Sequence, residues 1–353
     1  MSIIDDFLQS MHLRKGSDLH VIAGEPPRMR VHGELITLAK QTLDPEELQA
    51  ALVDIMSQGL VDHFNTHDSA DFAHFIPDVA RFRVNVFRHL NGIGAVFRGI
   101  PSRALSLKEL NMPPVVKTLS RAHQGLILVT GKTGSGKSTT LAAMIDAIND
   151  RLNGHILTIE DPIEFVHERK QCLISQREIG AHTGSFSDAL HSALREDPDV
   201  ILVGELRDLE TMSIAMTAAE MGILVMGTLH TNGAGATIDR VINIFPADKQ
   251  DHVRNMLSTS LRGVVSQQLC RTADGSDRIA ALEVLVNTPA VANLIRQGKL
   301  DQIENTMQSG ASDGMYTMDN SLMRLMNSGT ISGQEAYMQA FDKKKFEEYK
   351  DFG

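Results

Sequence analysis

Tryptophan is absent from this 353-residue chain, tyrosine occurs three times, and aromatic residues together make up 5% of it. Surfaces that bind single-stranded nucleic acid stack bases on aromatic rings, so this composition argues against one. The net charge of −10 points the same way, because affinity for nucleic acid rests on clustered Lys and Arg that displace phosphate counterions. Cysteine is scarce as well. Cys172 and Cys270 lie far apart and form no C-x-x-C, which excludes a disulfide framework and a thiolate zinc site. No uninterrupted apolar stretch reaches about 18 residues, and Met1–Asp6 carries no basic n-region ahead of an apolar one. The expectation is a cytoplasmic protein that is not inserted in a membrane.

Apolar residues are plentiful, at 42%, and the length allows about two domains with cores of their own. Residues 1–98 mix short strand and helix signals and read as a small α+β module. A helix is predicted near Ile3–Met11, a strand over Asp18–Ile22, a hairpin at His32-Gly33, and a helix opened by Asp44-Pro45-Glu46-Glu47. Arg81-Phe82-Arg83-Val84-Asn85-Val86 alternates with period two, and Asn91-Gly92 supplies a type I′ turn before Ala95–Arg98. Phe82, Val84 and Val86 are therefore predicted to face a core, with Arg81, Arg83 and Asn85 opposite. Residues 99–108, with Pro101, Ser102 and Ser106, read as a linker.

From residue 109 to 353 the pattern becomes apolar strands separated by helices, the mark of a parallel sheet covered on both faces. Strands are predicted at Leu126–Thr130, Ile156–Ile159, Val200–Val203 and Ile223–Thr228. A helix over Asp251–Leu269, a hairpin turning at Asp274-Gly275 and a helical tail are predicted to follow. Lys343-Lys344-Lys345 with Glu347-Glu348 reads as a solvated helix face without a function.

Between the first of these strands and a helix beginning near Thr139 stands Gly131-Lys132-Thr133-Gly134-Ser135-Gly136-Lys137-Ser138, a complete G-x-x-x-x-G-K-S loop. Its glycines let backbone N–H groups turn inward on a phosphate, Lys137 offers a point charge and Ser138 a hydroxyl for Mg²⁺. The chain is thus expected to bind a nucleoside triphosphate. Ligands gather at the C-terminal edge of a parallel sheet, and each later strand ends there in polar residues. Glu160 and Asp161 are candidates for the Mg²⁺ shell or for orienting water. Glu205, after Val200–Gly204, is the candidate general base, with Gly204 where such motifs commonly have Asp. His230 in Thr228–Asn232 is a candidate sensor of the third phosphate.

These motifs in this order resemble the Walker A, Asp box, Walker B and His box of the type II/IV secretion ATPase family. Included are Ile159–Glu164, Arg195–Asp199 leading to Gly204–Asp208, and Thr228–Asn232. Gly16–His20 and Pro26–Gly33 further resemble the short N-terminal domain of the pilus-retraction branch. Extension and secretion motors usually have extra N-terminal domains and a tetracysteine zinc element, whereas the sequence here opens on the short domain and has two cysteines, so the resemblance is expected to be to the retraction branch. The resemblance implies a RecA-like P-loop ATPase domain preceded by a PAS-like α+β domain. It also implies a hexameric ring that uses ATP and Mg²⁺ at the pilus base, on the inner-membrane face. An inner-membrane platform protein and a paralogous ATPase are the implied partners, with Arg81 and Arg83 reaching nucleotide. Arg98, Arg195 and Arg207 are further candidates, the last two alternatively pairing with Asp197 and Asp208.

In one place the sequence departs from that branch. Ala290–Gln297 lacks one Arg and the Glu of a motif tied to retraction, at Ala292 and Gln297, whereas Gly314-Met315-Tyr316-Thr317-Met318-Asp319 is kept. This leaves an accessory retraction ATPase or a nucleotide-gated adaptor ring as alternatives to the motor, and a RecA-type nucleic-acid motor behind them.

Overall fold

The computed structural model describes residues 2–31, 33–77, 79–100 and 103–350. Its contacts divide the chain into a unit of Met1–Arg103 with Glu164–Val166 and a unit of Ala104–Ile163 with His167–Gly353. His32 of the expected hairpin and Pro101 and Ser102 of the expected linker lie outside the described residues.

In the N-terminal unit, α1 (Ile3–Leu13) starts where Ser2 accepts from the Asp5 N–H and Asp5 accepts in return from Ser2. It buries Ile4, Leu8 and Met11, one helical face. Strands β1 (Asp18–Ile22), β2 (Arg28–Val31) and β3 (Glu34–Thr37) follow, then α2 (Pro45–Asp54) and α3 (Gln58–His67). Asp44 caps α2 by accepting from the Glu46 and Glu47 N–H groups. Strands β4 (Ser69–Ile76), β5 (Ala80–His89) and β6 (Gly92–Ile100) complete an antiparallel sheet in the order β3-β2-β1-β6-β5-β4.

Phe82, Val84 and Val86 on β5 are fully buried, and each contributes about 1.5–3 kcal/mol of apolar burial. Arg81, Arg83 and Asn85 take the other face. The β5–β6 turn differs from the expectation by one residue. His89 pairs with Gly92, so Leu90 and Asn91 form the turn, and neither has the positive φ of a type I′ turn. Strand β6 also runs to Ile100, two residues into the segment read as linker.

The second unit contains α4 (Pro114–Leu119), β7 (Gly125–Thr130), α5 (Lys137–Asn149), β8 (His155–Glu160), β9 (Leu173–Glu178), α6 (Phe186–Ala193) and β10 (Val200–Val203). After these come α7 (Leu209–Glu220), β11 (Leu224–Leu229), α8 (Ala234–Asn243), α9 (Gln250–Ser260), β12 (Leu261–Arg271) and β13 (Arg278–Val286). Helices α10 (Pro289–Gln297), α11 (Ile303–Ser309), α12 (Met318–Asn327) and α13 (Gly333–Gln339) end the unit with a 3₁₀ turn over Lys343–Tyr349.

The sheet order is β13-β12-β7-β11-β10-β8-β9, with β13 antiparallel and the rest parallel. Successive β7 residues serve opposite cores. Leu126 and Leu128 pack with α7, α8 and α9, and Ile127 and Val129 with α4 and α5, which is why every residue of the strand is apolar or small and buried.

Two expectations for this unit are corrected. Residues 261–269 are strand, not the end of a helix: α9 passes into β12 without a loop, and no Gly or Pro before Gly263 marks the change. At Gly263 a Cβ would meet the Leu285 carbonyl at 2.7 Å, so close pairing with β13 requires glycine there. Strand β9 was not anticipated, because an edge strand with Ser175, Gln176 and Arg177 on it shows little apolar alternation. The terminal Lys343–Lys345 cluster is exposed, as are Glu347 and Glu348, though it lies on a 3₁₀ turn and two of its lysines also make local contacts. Lys343 donates to the Tyr337 and Met338 carbonyls, and Lys345 lies 3.3 Å from buried Asp319.

Candidate nucleotide site

Strands β7, β8, β10 and β11 end in register, which brings Thr130, Glu160, Gly204 and His230 to one edge of the sheet. The glycine-rich loop closes that edge between β7 and α5. Gly131, Gly134 and Gly136 have φ of +139°, +79° and +88°, a backbone that other residues rarely adopt. The N-terminus of α5 points into the loop and favours an anion there.

Lys137 is buried and donates to the carbonyls of Gly131 (2.9 Å) and Lys132 (3.1 Å). Burial lowers its pKa below the ordinary value of 10.5, against an opposing effect of Glu205. The Ser135 hydroxyl is buried beside the position a Gly131 Cβ would take and has no hydrogen-bond partner among the described residues. An orphaned donor inside an N–H-lined cradle suits a phosphate oxygen. Ser138 and Thr139 follow on the first turn of α5, with Ser138 exposed.

Glu205 is held from both sides. Arg207 Nη2 donates to its Oε2 at 2.6 Å, and His230 Nε2 lies 3.1 Å from its Oε1. With a proton on Nε2, the His230 Nδ1 is free to accept from the Thr133 hydroxyl, 3.4 Å away in the loop. Burial by itself would raise the Glu205 pKa, but the Arg207 hydrogen bond and the neighbouring His230 and Arg207 outweigh it, and the carboxyl stands below its ordinary 4.5. These side chains line a cavity of about 220 Å³ that also includes Thr231 and Arg240. Arg207 therefore pairs with Glu205 rather than Asp208, which instead caps α7 by accepting from Thr211 N–H at 2.8 Å.

Glycine at 204, in place of the common Asp, has a local cause. A Cβ there would lie 3.2 Å from the Ile159 carbonyl and 3.3 Å from Glu160 Cα, against the backbone of β8. Thr228 on β11 donates to the Gly204 carbonyl at 2.5 Å and fastens this turn from its other side. Glu160 accepts from Thr158 (2.7 Å) and Gln176 (3.2 Å), and Glu178 accepts the Ile163 N–H (3.0 Å), so β9 orients the acidic stretch containing exposed Asp161. Among the described residues no cluster of three or more His, Cys, Asp or Glu is placed to hold a metal. The donors that are available, the Ser138 hydroxyl with the Glu160, Asp161 and Glu205 carboxylates, are all oxygens and suit Mg²⁺ completed by phosphate and water. Arg81 and Arg83 belong to the N-terminal unit. There Arg83 lies 3.9 Å from Glu164, and Arg98 pairs with Asp18 at 2.9 Å.

Sequence reasoning missed Gln267. Placed in an expected helix it drew no notice; on β12 it is buried, and its amide meets both the loop and α5. Read as a strand, a glutamine following the apolar run Val264-Val265 would have stood out as a buried polar group in need of partners. Ser266 was missed for the same reason, and Glu283, beyond the expected hairpin turn, because its partners lie 49 and 35 residues away in sequence. The two side chains accept the Gly233 (2.9 Å) and Ala234 (2.6 Å) N–H groups and anchor the segment after His230.

A phosphate loop on a parallel sheet, facing a carboxylate held by an imidazole, defines a P-loop nucleotide hydrolase. Within that class the chain belongs to the Type II/IV secretion system protein family, whose profile matches residues 1–310. It is 52% identical over 324 residues to the "Type IV pilus retractation ATPase PilT" of Pseudomonas aeruginosa, covering 92% of this chain and 94% of that one. The "Type IV pilus ATPase PilU" of the same organism is 40% identical over 336 residues, or 95% and 88% of the two chains. A solved structure described as the pilus retraction motor PilT with bound ADP superposes with a TM-score of 0.91 at 43% identity, covering 99% of both chains.

Proposed function

We propose that this chain is an ATPase that works as a ring of six copies to retract type IV pili, the activity behind twitching motility. The observation that carries the reading is the bridge from Thr133 through His230 to Glu205, which joins the phosphate loop to the carboxylate that would activate water. It is supported by similarity to retraction ATPases over almost the whole chain. Loop N–H groups, Lys137 and the Ser135 hydroxyl bind the phosphates. Glu205, kept ionised by Arg207 and His230, accepts hydrogen bonds from the attacking water and orients it. Bound Mg²⁺, held by Ser138 and through water by Glu160, Asp161 or Glu205, would supply electrostatic stabilisation of the phosphates.

Loss of the third phosphate removes a partner from the Thr133–His230–Glu205 bridge and lets the segment anchored by Ser266 and Glu283 move. The N-terminal unit serves as the PAS-like domain, its Arg81 and Arg83 stabilising charge on the phosphoryl group. The partner is an inner-membrane platform protein, which places the ring in the cytoplasm at pilus bases.

Two variants test the chemistry. Lys137→Ala should weaken ATP binding, while Glu205→Gln should bind ATP and lose turnover. Parent-like ATPase activity in Glu205→Gln would sink the assignment. Coupling is tested by complementation of twitching motility in a strain lacking only this protein: parent should restore it and Glu205→Gln should not. An accessory role is favoured by one observation. The departures at Ala292 and Gln297 fall on α10, where Gln297 is exposed and its side-chain amide donates to Asn293 one turn back, on a face available to a partner. Rescue of motility by Glu205→Gln would support that reading.

A further inference from the structure

We propose that the side-chain amide of Gln267 sets the shape of the phosphate loop and thereby its affinity for nucleotide, an inference that rests on the loop being the ATP site. Parallel pairing of β12 with β7 matches Ser266 to Thr130, so Gln267, still within β12, stands one residue past the end of β7, level with Gly131. It is 2% exposed, and its two amide atoms are used in opposite directions. Nε2 donates to the Ser135 carbonyl at 2.6 Å, and Oε1 accepts from the Thr140 hydroxyl on α5 at 2.7 Å.

The first bond decides how a peptide plane turns. In a trans peptide the C=O and N–H point oppositely, so fixing the Ser135 carbonyl toward β12 directs the Gly136 N–H away from β12. That N–H belongs to the set available to a phosphate. The second bond ties the same amide to α5, whose N-terminus faces the anion. Two loop glycines pack against this residue, Gly136 against its side-chain amide and Gly131 against its main chain. A Cβ on Gly136 would meet Gln267 Nε2 at 2.6 Å, and one on Gly131 would strike the Gln267 carbonyl oxygen.

Glutamine offers, at this reach, an amide donor and a carbonyl acceptor on one neutral plane. Glutamate would set a charge against the Ser135 carbonyl, and leucine would leave that carbonyl and the Thr140 hydroxyl unpaired in a buried place. Gln267 is a positioning residue, since it acts through Ser135 and Thr140.

The test compares the parent with Gln267→Leu and Thr140→Val, by titration with a fluorescent ADP derivative and by steady-state ATPase kinetics. Gln267→Leu should raise both the ADP Kd and the KM for ATP about tenfold with kcat changed by less than about threefold, and Thr140→Val should raise Kd by less. A purely structural role would lower the melting temperature and leave the Kd of the folded protein alone. Kd and KM within about twofold of the parent in folded Gln267→Leu would overturn the inference. If that variant does not fold, Gln267→Glu keeps the size and the Thr140 bond and is read by the same two outcomes. ADP titration is independent of turnover. A parent that binds ADP without hydrolysing ATP removes the ATPase reading while Gln267 is still tested, and a parent that does not bind ADP overturns both.

Discussion

In the proposed role Glu205 would carry two burdens at the residue scale, staying ionised in a partly buried site and keeping a fixed orientation. Arg207 and His230 meet both at 2.6 and 3.1 Å. Its folded pKa lies below the unfolded value. The stability it contributes is therefore present above about pH 4.5 and lost as pH falls through the folded value. Arg207→Met removes the cation, so the acid limb of the kcat/KM profile should move to higher pH, as a series of rates across the acidic range would show. An unmoved limb would mean that Glu205 does not titrate in the free enzyme. Gly204 is constrained by space rather than charge. Gly204→Asp, which restores the more common residue, should cost about 1–3 kcal/mol by forcing a Cβ against β8, measurable by chemical denaturation.

Among the elements, β12 and β13 connect the nucleotide edge to the C-terminal helices. Glu283 on β13 accepts from Ala234 N–H at the start of α8 (2.6 Å) and from Met318 N–H at the start of α12 (3.1 Å), one carboxylate serving two helix N-termini. One residue later, Asp319 accepts from the Phe341 and Asp342 N–H groups and pins the terminal turn. These contacts give the Gly314–Asp319 element a structural role.

Burial raises the Glu283 pKa above 4.5. Its contribution is thus full below the unfolded value and declines as pH rises through the folded one. Glu283→Gln can offer only one acceptor and should cost about 1–3 kcal/mol, with a gap from the parent in urea melts that narrows as pH rises above the ordinary carboxyl value of 4.5. A gap independent of pH would show that Glu283 keeps one charge state throughout.

On the scale of the whole molecule, no described helix is long and apolar enough to cross a membrane. If six copies form the working unit, specific ATPase activity should rise with protein concentration and then level off. Activity per chain that is flat down to the lowest measurable concentration would count against assembly as a requirement. Nucleotide should also stabilise the chain by mass action, about 2.7 kcal/mol at a hundredfold excess over Kd, and Lys137→Ala should lose that shift in a thermal melt.

Local patterns in the sequence determined much of this protein. The glycine-rich loop, the buried strands β7, β8, β10 and β11, the alternation of β5 and the acidic and imidazole residues at the sheet edge all appear in short stretches of residues. Each depends on chemistry that a few neighbours supply: glycine at positive φ, a two-residue pleat, an apolar run bounded by polar residues. Tertiary structure alone decided the rest. Residues 261–269 carry a pattern compatible with helix or strand, and only a free place beside β7 and the Leu285 carbonyl packed against Gly263 made them β12. That outcome brought Gln267 to the phosphate loop and Glu283 to two helices, contacts that span 132 and 49 residues of sequence. Pairings across such distances depend on which sheet position a strand occupies, and no local pattern of residues encodes that.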